Sequence, residues 1–158
     1  HRLHHLNYTI LRYGNVYGPR QDPHGEAGVV AIFSRAMLEG KQPKIFGEGD
    51  QERDFVYVDD VVEANMCVMT KGDCAAYNIG TGQGTNVNCI YESLRHVTKY
   101  KWDAEHRTAR PGEVYKMRLE CKKAYDELGW APQVSLEEGL ERTAEFFRKA
   151  VKSVKATA

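Results

Sequence analysis

Short runs of β-branched and aromatic residues alternate along this chain with stretches in which apolar residues recur at helical spacing. The first run, residues 8–13, reads as a buried strand, and the Gly18-Pro19 pair ends it. Further strands are predicted at 44–46, 55–58, 77–79 and 117–119, and helices at 29–37, 61–69, 87–97, 121–128 and 136–151. Because strands and helices alternate, the sequence predicts an α/β fold.

Two of the predicted helices carry recognisable start signals. Asp59 directly follows a strand and is the expected N-cap of the second helix, with Asp60 in the first turn complementing the helix dipole. Ser135 and Glu138 have the spacing of a capping box at the start of the last helix.

Composition and charge exclude several classes of function. The 158 residues include 22 Lys plus Arg and 22 Asp plus Glu, a balance that argues against a nucleic-acid or anionic-membrane surface. No apolar run approaches the roughly 20 residues that span a bilayer. The chain opens at His1 without a start Met or a signal peptide, so we expect a cytoplasmic protein and interpret the start as a cut.

The four cysteines have no metal-binding pattern. Cys67, Cys74, Cys89 and Cys121 include no Cys-x-x-Cys pair, and positions 67 and 89 fall in apolar helical patterns. Buried free thiols are therefore expected, and no metal site is predicted.

Two arginines lie beside rigid turns that are far apart in sequence. Arg53 follows the glycines at 47 and 49, and Arg110 precedes Pro111-Gly112. The planar guanidinium fork suits phosphate oxygens, so the pair could clamp one pyrophosphate. Either arginine taken alone is more typical of a surface ion pair.

Four motifs resemble those of the NAD-dependent nucleotide-sugar epimerase/dehydratase family, the extended short-chain dehydrogenases/reductases. They are RYGNVYGP at 12–19, IFGEG…RDFVYVDD at 45–60, YNIGTG at 77–82 and RPGE at 110–113, in a resemblance covering about Tyr8 to Val151. Residues 20–30 look most like those of UDP-glucose 4-epimerases. The resemblance implies that residues 1–158 are the C-terminal, substrate-binding portion of such an enzyme. This portion would hold the last strands of the Rossmann-like domain and the small substrate domain, and would lack the N-terminal NAD-binding segment.

The resemblance assigns roles to residues near the first loop and helix. The Tyr13 backbone would approach the nicotinamide of NAD, and Asn15 would hydrogen-bond the substrate beside its phosphates. Val29 and Val30 would meet the diphosphate and sugar at a helix start, which is a natural anion site.

A second group of residues would hold the nucleotide. Lys44 and Phe46 would flank the uracil, although plain core packing is an equal alternative for Phe46. Arg53 and Arg110 would bind the pyrophosphate, and Glu113 would accept hydrogen bonds from the ribose hydroxyls. The turn at 80–84 lacks the third glycine of a dinucleotide fingerprint and is interpreted as a tight turn near the uridine.

The groups that perform the family's chemistry are missing from these residues. No tyrosine is followed by Lys four residues later, so we assign no catalytic residue, and no Gly-rich NAD fingerprint is found. The resemblance implies a UDP-sugar substrate, 4-epimerisation through a 4-keto intermediate, and a homodimer in the full-length form. A 4,6-dehydratase, a decarboxylase, a reductase of the same superfamily, or a non-catalytic nucleotide-sugar-binding fragment remain the alternatives.

Overall fold

A computed structural model describes residues 1–24 and 28–156, and side chains up to residue 153. Strands β1–β8 are Thr9–Tyr13, Asn15–Tyr17, Lys44–Phe46, Glu52–Arg53, Phe55–Tyr57, Ala75–Ile79, Thr85–Asn86 and Glu105–Arg107. Helices α1–α4 are Val29–Leu38, Val58–Val68, Val87–Thr98 and Leu136–Ala156. A π-helical turn, Ala124–Leu128, ends at Gly129 in the left-handed conformation. The predicted α/β class is confirmed.

The strands pair two by two. β1 lies parallel to β6, β2 to β5 and β3 to β8, whereas β4 is antiparallel to β7. The chain passes from the first pair to the second at Gly14, whose N–H donates to the Ile79 carbonyl, and at Asn15, whose N–H donates to the Asp54 carbonyl. A Cβ on Gly14 would lie 2.6 Å from that Asp54 oxygen, so only glycine fits this crossing.

Strand β1 is not the buried strand that its composition predicts. Ile10 is 48% exposed and Tyr13 is 43% exposed. Within the described residues only β6 pairs with β1, and nothing covers its outward face.

Two apolar clusters hold the elements together. The larger lies where α1 packs against α3 and α4, and it contains Phe33, Ile90, Leu94 and Leu140. The smaller joins β5, α2, β6 and the π-helical turn. Because the larger cluster fixes α1 beside β3 and β5, the start of α1 is held at the edge of the candidate site described below.

The predicted start of the second helix is wrong in its detail. Tyr57 is the N-cap of α2, and Asp59 lies inside the first turn without a capping hydrogen bond. Asp60 is buried instead, and its carboxylate accepts from the N–H groups of Gln133 (2.9 Å) and Val134 (3.2 Å). Asp60 therefore ties α2 to the segment before α4.

Of two further local predictions, one is partly right and the other is wrong. Ser135 Oγ accepts from the Glu138 N–H at 3.2 Å, but the Glu138 carboxylate turns to Arg142, so half of the capping box forms. No strand forms at 117–119, and a single bridge joins Lys116 to Glu52.

The thiols are free but are not buried as expected. Cys67 and Cys121 are half-buried, and Cys74 and Cys89 are exposed. Among the described residues, no three His, Cys, Asp or Glu side chains are grouped so that they could hold a metal ion. No helix in that part of the chain combines the length and apolarity needed to cross a membrane.

Candidate functional site

A cavity of about 430 Å³ opens between the start of α1, strands β3 and β4, and the turn at 110–113. Seven of the residues singled out from the sequence line it: Asn15, Val29, Lys44, Phe46, Arg53, Arg110 and Glu113. They come from four segments that are distant in the chain. A second cavity of the same volume, between α1 and α4, includes none of these residues.

Arg53 is held in a fixed position on the cavity wall. Its Nη1 donates to the Glu52 carbonyl at 2.8 Å, and its Nη2 lies 3.5 Å from Glu113 Oε1. Gln51 completes the arrangement, because its amide nitrogen donates to the Phe46 carbonyl (3.0 Å) and reaches Glu113 Oε2 (3.5 Å). Each oxygen of Glu113 thus faces one donor, and Arg53 keeps donor capacity toward the cavity.

Gln51 was not singled out from the sequence, although a signal was present. Gln51 is two positions before Arg53, and residues two apart in an extended segment share one face. A cavity-lining Arg53 therefore implied a cavity-lining Gln51.

Arg110 reaches the cavity because β8 runs beside β3. Phe46 is in register with Arg107, and the Gly47 N–H donates to the Arg107 carbonyl at 2.8 Å, which leads the chain back over the end of β3. The Arg110 guanidinium carbon lies 3.9 Å from the centre of the Phe46 ring, a cation–π contact. Phe46 lies in neither apolar cluster, so the core-packing alternative is not the one observed.

The start of α1 presents its positive end to the cavity. Gly28 is the N-cap and offers no side chain to cap the helix, and the first turn contains no acidic residue. Such a terminus favours an anion. Val29 lines the cavity, whereas the Val30 side chain is 1% exposed in the core, so Val30 can offer a ligand only its backbone.

The turn at 80–84 does not line this cavity. It wraps the carboxylate of Asp54, which is 0% exposed and which sequence analysis did not single out. Asp54 Oδ1 accepts from the N–H and hydroxyl of Thr81, both at 2.7 Å, and Oδ2 accepts from the N–H groups of Gly82 (3.0 Å) and Leu119 (3.1 Å). Asp54 thus joins the turn to the segment that follows Glu113.

Tyr13 lies outside the cavity, at the carboxyl end of β1. Its hydroxyl hydrogen-bonds the amide of Asn65 on α2, and its partner across the strand pair is Ile79. Carboxyl ends of neighbouring parallel strands are where α/β sheets bind dinucleotides. An exposed Tyr13 at this edge fits one wall of such a site.

Comparison with known proteins gives consistent matches. The family model described as "NAD dependent epimerase/dehydratase family" matches residues 1–80. The crystal structure of a UDP-glucose 4-epimerase from Thermotoga maritima with UDP-glucose superposes with a TM-score of 0.93 at 55% identity, covering 95% of this chain and 48% of that one.

Two curated relatives are similar to nearly the whole of this chain. A UDP-glucose 4-epimerase of Mycolicibacterium smegmatis is 44% identical over 147 residues, which are 92% of this chain and 47% of that protein. A dTDP-glucose 4,6-dehydratase of Haemophilus influenzae is 34% identical over 160 residues, covering 93% of this chain and 46% of that protein. The chain therefore spans about half the length of the curated relatives it matches.

Proposed function

The chain belongs to the NAD dependent epimerase/dehydratase family, and on that premise we propose that its cavity binds the nucleoside diphosphate of a UDP-sugar. The whole protein would be an NAD-dependent UDP-glucose 4-epimerase that interconverts UDP-glucose and UDP-galactose through a 4-keto intermediate. One observation carries the proposal: seven residues chosen from separate sequence motifs meet in one cavity of about 430 Å³.

The cationic side of the cavity suits a diphosphate. Arg53 is oriented by the Glu52 carbonyl before any ligand arrives, so little side-chain freedom is lost when it binds an anion. Arg110 and the positive end of α1 add two further sources of positive potential, and Asn15 supplies an amide to the same cavity.

Other residues that line the same cavity suit a nucleoside. Phe46 offers an aromatic face and Lys44 flanks it, while the exposed Glu113 carboxylate can accept hydrogen bonds from ribose hydroxyls. Gln51 holds both Phe46 and Glu113, so it would fix the spacing between base and ribose.

These residues would contribute to the reaction by positioning. When bound, NAD supplies the acceptor and then the donor of the hydride at C4 of the sugar. Tyr13 fits the edge where that cofactor would lie. The cavity would hold the nucleotide still while the sugar turns about its phosphate link, which keeps the reacting carbon close to its partner. Proton transfer is assigned to groups outside these residues, because no tyrosine here has Lys four positions on.

The resemblance is also the support for two broader proposals. We place the protein in galactose metabolism in the cytoplasm, and we expect a homodimer with neither nucleic acid nor membrane as partner.

Calorimetry on the native protein that carries this chain tests the site. UDP should bind, and Arg53→Ala should weaken binding about 10- to 100-fold, because charge-assisted hydrogen bonds contribute roughly 1.5–3 kcal/mol. Arg107→Ala is the matched control, since Arg107 is exposed, pairs with Glu105 and lies outside the cavity. Equal UDP affinities for the Arg53→Ala variant and the unmodified protein would refute the clamp.

The dehydratase relative makes one alternative specific. The native protein incubated with UDP-glucose and NAD should yield UDP-galactose. A 4-keto-6-deoxy product would replace the epimerase proposal with a dehydratase, and UDP binding without turnover would favour a non-catalytic nucleotide-sugar module.

A further inference from the structure

We infer that Arg110 makes the cavity select nucleoside diphosphates over nucleosides, because its guanidinium covers the Phe46 face on which a base would stack. The inference rests on the proposed nucleotide site and adds a specificity-determining role to Arg110.

The contact occupies the space that a base would need. The guanidinium carbon is 3.9 Å from the Phe46 ring centre. Stacked aromatic rings have centres about 4.5–7 Å apart, so a base on this face would overlap the guanidinium group. Base stacking on this face of Phe46 therefore requires Arg110 to leave.

The two cavity arginines differ in how they are held. Arg53 is fixed by the Glu52 carbonyl and by Glu113. Arg110 has the Phe46 ring as its partner, and among the described residues no carboxylate lies within ion-pair distance of it. Its N–H donors are thus free to be taken by an incoming anion.

The exposed side chain of Arg110 has room to move away from Phe46. Arg110 is exposed, and Gly112, two residues later, has a φ of 76° with nothing within 4 Å of the position where a Cβ would lie. A hydrogen bond from the Glu113 N–H to the Arg110 carbonyl, at 3.4 Å, closes the turn without tying it to the core.

The energetic consequence depends on the ligand. A diphosphate offers Arg110 charge-assisted hydrogen bonds that are stronger than the cation–π contact it gives up, so displacement from Phe46 is favourable. An uncharged nucleoside offers no such replacement, and its base must displace Arg110 at a cost. Base binding and diphosphate binding are therefore coupled through one side chain.

Because of this coupling, removing the Arg110 side chain should change the affinities for UDP and for uridine in opposite directions. Arg110→Ala should weaken UDP binding about tenfold or more, since a phosphate partner is lost. The same change should strengthen uridine binding about two- to tenfold, since the Phe46 face is uncovered. Arg107→Ala, the matched control, should leave both affinities unchanged, because Arg107 pairs with Glu105 and lies outside the cavity.

The experiment measures UDP by calorimetry and uridine by NMR titration, using the native protein and both variants. Arg110 is exposed, so melting temperatures should stay close to that of the unmodified protein. Uridine affinity that falls or stays constant in Arg110→Ala, while UDP still binds the unmodified protein, would overturn this inference and leave the proposed function standing. Failure of the unmodified protein to bind UDP would remove both.

Discussion

Replacing Asp54 by asparagine tests whether one buried carboxylate holds the site together. Asp54 is 0% exposed, and its two oxygens accept four hydrogen bonds from Thr81, Gly82 and Leu119. An amide has one oxygen, so the side chain introduced by Asp54→Asn could satisfy only one set of donors fully. The Thr81 hydroxyl can turn and accept, which makes its side the less costly place for the new NH₂ group.

The magnitude follows from the donors that lose their acceptor. In the most favourable orientation of the asparagine amide, the Thr81 N–H has no acceptor, which costs about 1–3 kcal/mol for a buried donor. The bonds to Gly82 and Leu119 remain but lose their charge assistance, about 1 kcal/mol each, while relief from burying a charge offsets part of this. We expect Asp54→Asn to lower the free energy of unfolding by roughly 2–4 kcal/mol.

Guanidinium chloride unfolding of the native protein measures this loss, with Asp59→Asn as the matched control. The Asp59 side chain is 67% exposed and lies 3.7 Å from Arg142, an ion pair expected to contribute under about 1 kcal/mol. Because the Asp54 carbonyl also accepts from the Asn15 N–H at 2.6 Å, UDP affinity should fall with stability. Equal unfolding midpoints for the two variants would refute this reasoning.

Three other substitutions test local features of the fold. Asn86→Ala should reduce stability by about 1 kcal/mol in urea unfolding, because Asn86 Oδ1 caps α3 by accepting from the Cys89 N–H at 2.7 Å; Asn86→Ser should restore most of it. Lys99→Gly should increase the free energy of unfolding by about 1 kcal/mol and raise the melting temperature, because Lys99 ends α3 with a left-handed φ of 59°. An unchanged or lower melting temperature would contradict the strain argument. Hydrogen bonding from Arg35 lowers the pKa of Glu39 in the folded protein. The ionised Glu39 therefore stabilises the fold fully above the unfolded pKa of 4.5, and this contribution is lost as the pH falls through the lower folded pKa. Glu39→Gln should therefore cost under about 1 kcal/mol at neutral pH and progressively less in acid, and a loss that is constant across the acid range would count against this.

The fold class was predictable because local patterns and tertiary structure agree along most of the chain. The apolar stripe at Ile90 and Leu94 predicts α3, and both residues are fully buried. The burial of β1 was not predictable, since the strand's composition cannot say what packs against it. The role of Asp60, rather than Asp59, in binding backbone N–H groups was likewise not predictable, because the donors are at positions 133 and 134, more than 70 residues away.

In the candidate site, too, some features were predictable from the sequence and others were not. Motifs indicated Arg53 and Arg110, and the parallel pairing of β3 with β8 explains how Arg110 reaches the cavity beside Phe46. Val29 and Val30 separate because neighbouring residues on a helix point about 100° apart, which turns one to the cavity and the other to the core. The stacking of Arg110 on Phe46 has no sequence signal, since it depends on the path of the turn after β8.

Asp54 connects the fold with the candidate site, so a change at this residue should alter both the stability of the protein and its affinity for UDP. Its backbone fixes Asn15 and its chain neighbour is Arg53, while its side chain anchors the turn after β6 and the segment after Glu113. Asn15 and Arg53, two of the residues that line the cavity, are thus held through one buried residue. A change that weakens the four hydrogen bonds of Asp54 is therefore expected to loosen the backbone next to Arg53 and, with it, the cavity lining at Asn15 and Arg53. Variants that lose stability through Asp54 should therefore lose UDP affinity, whereas Glu39→Gln, which removes an ion pair with Arg35 outside the cavity, should not.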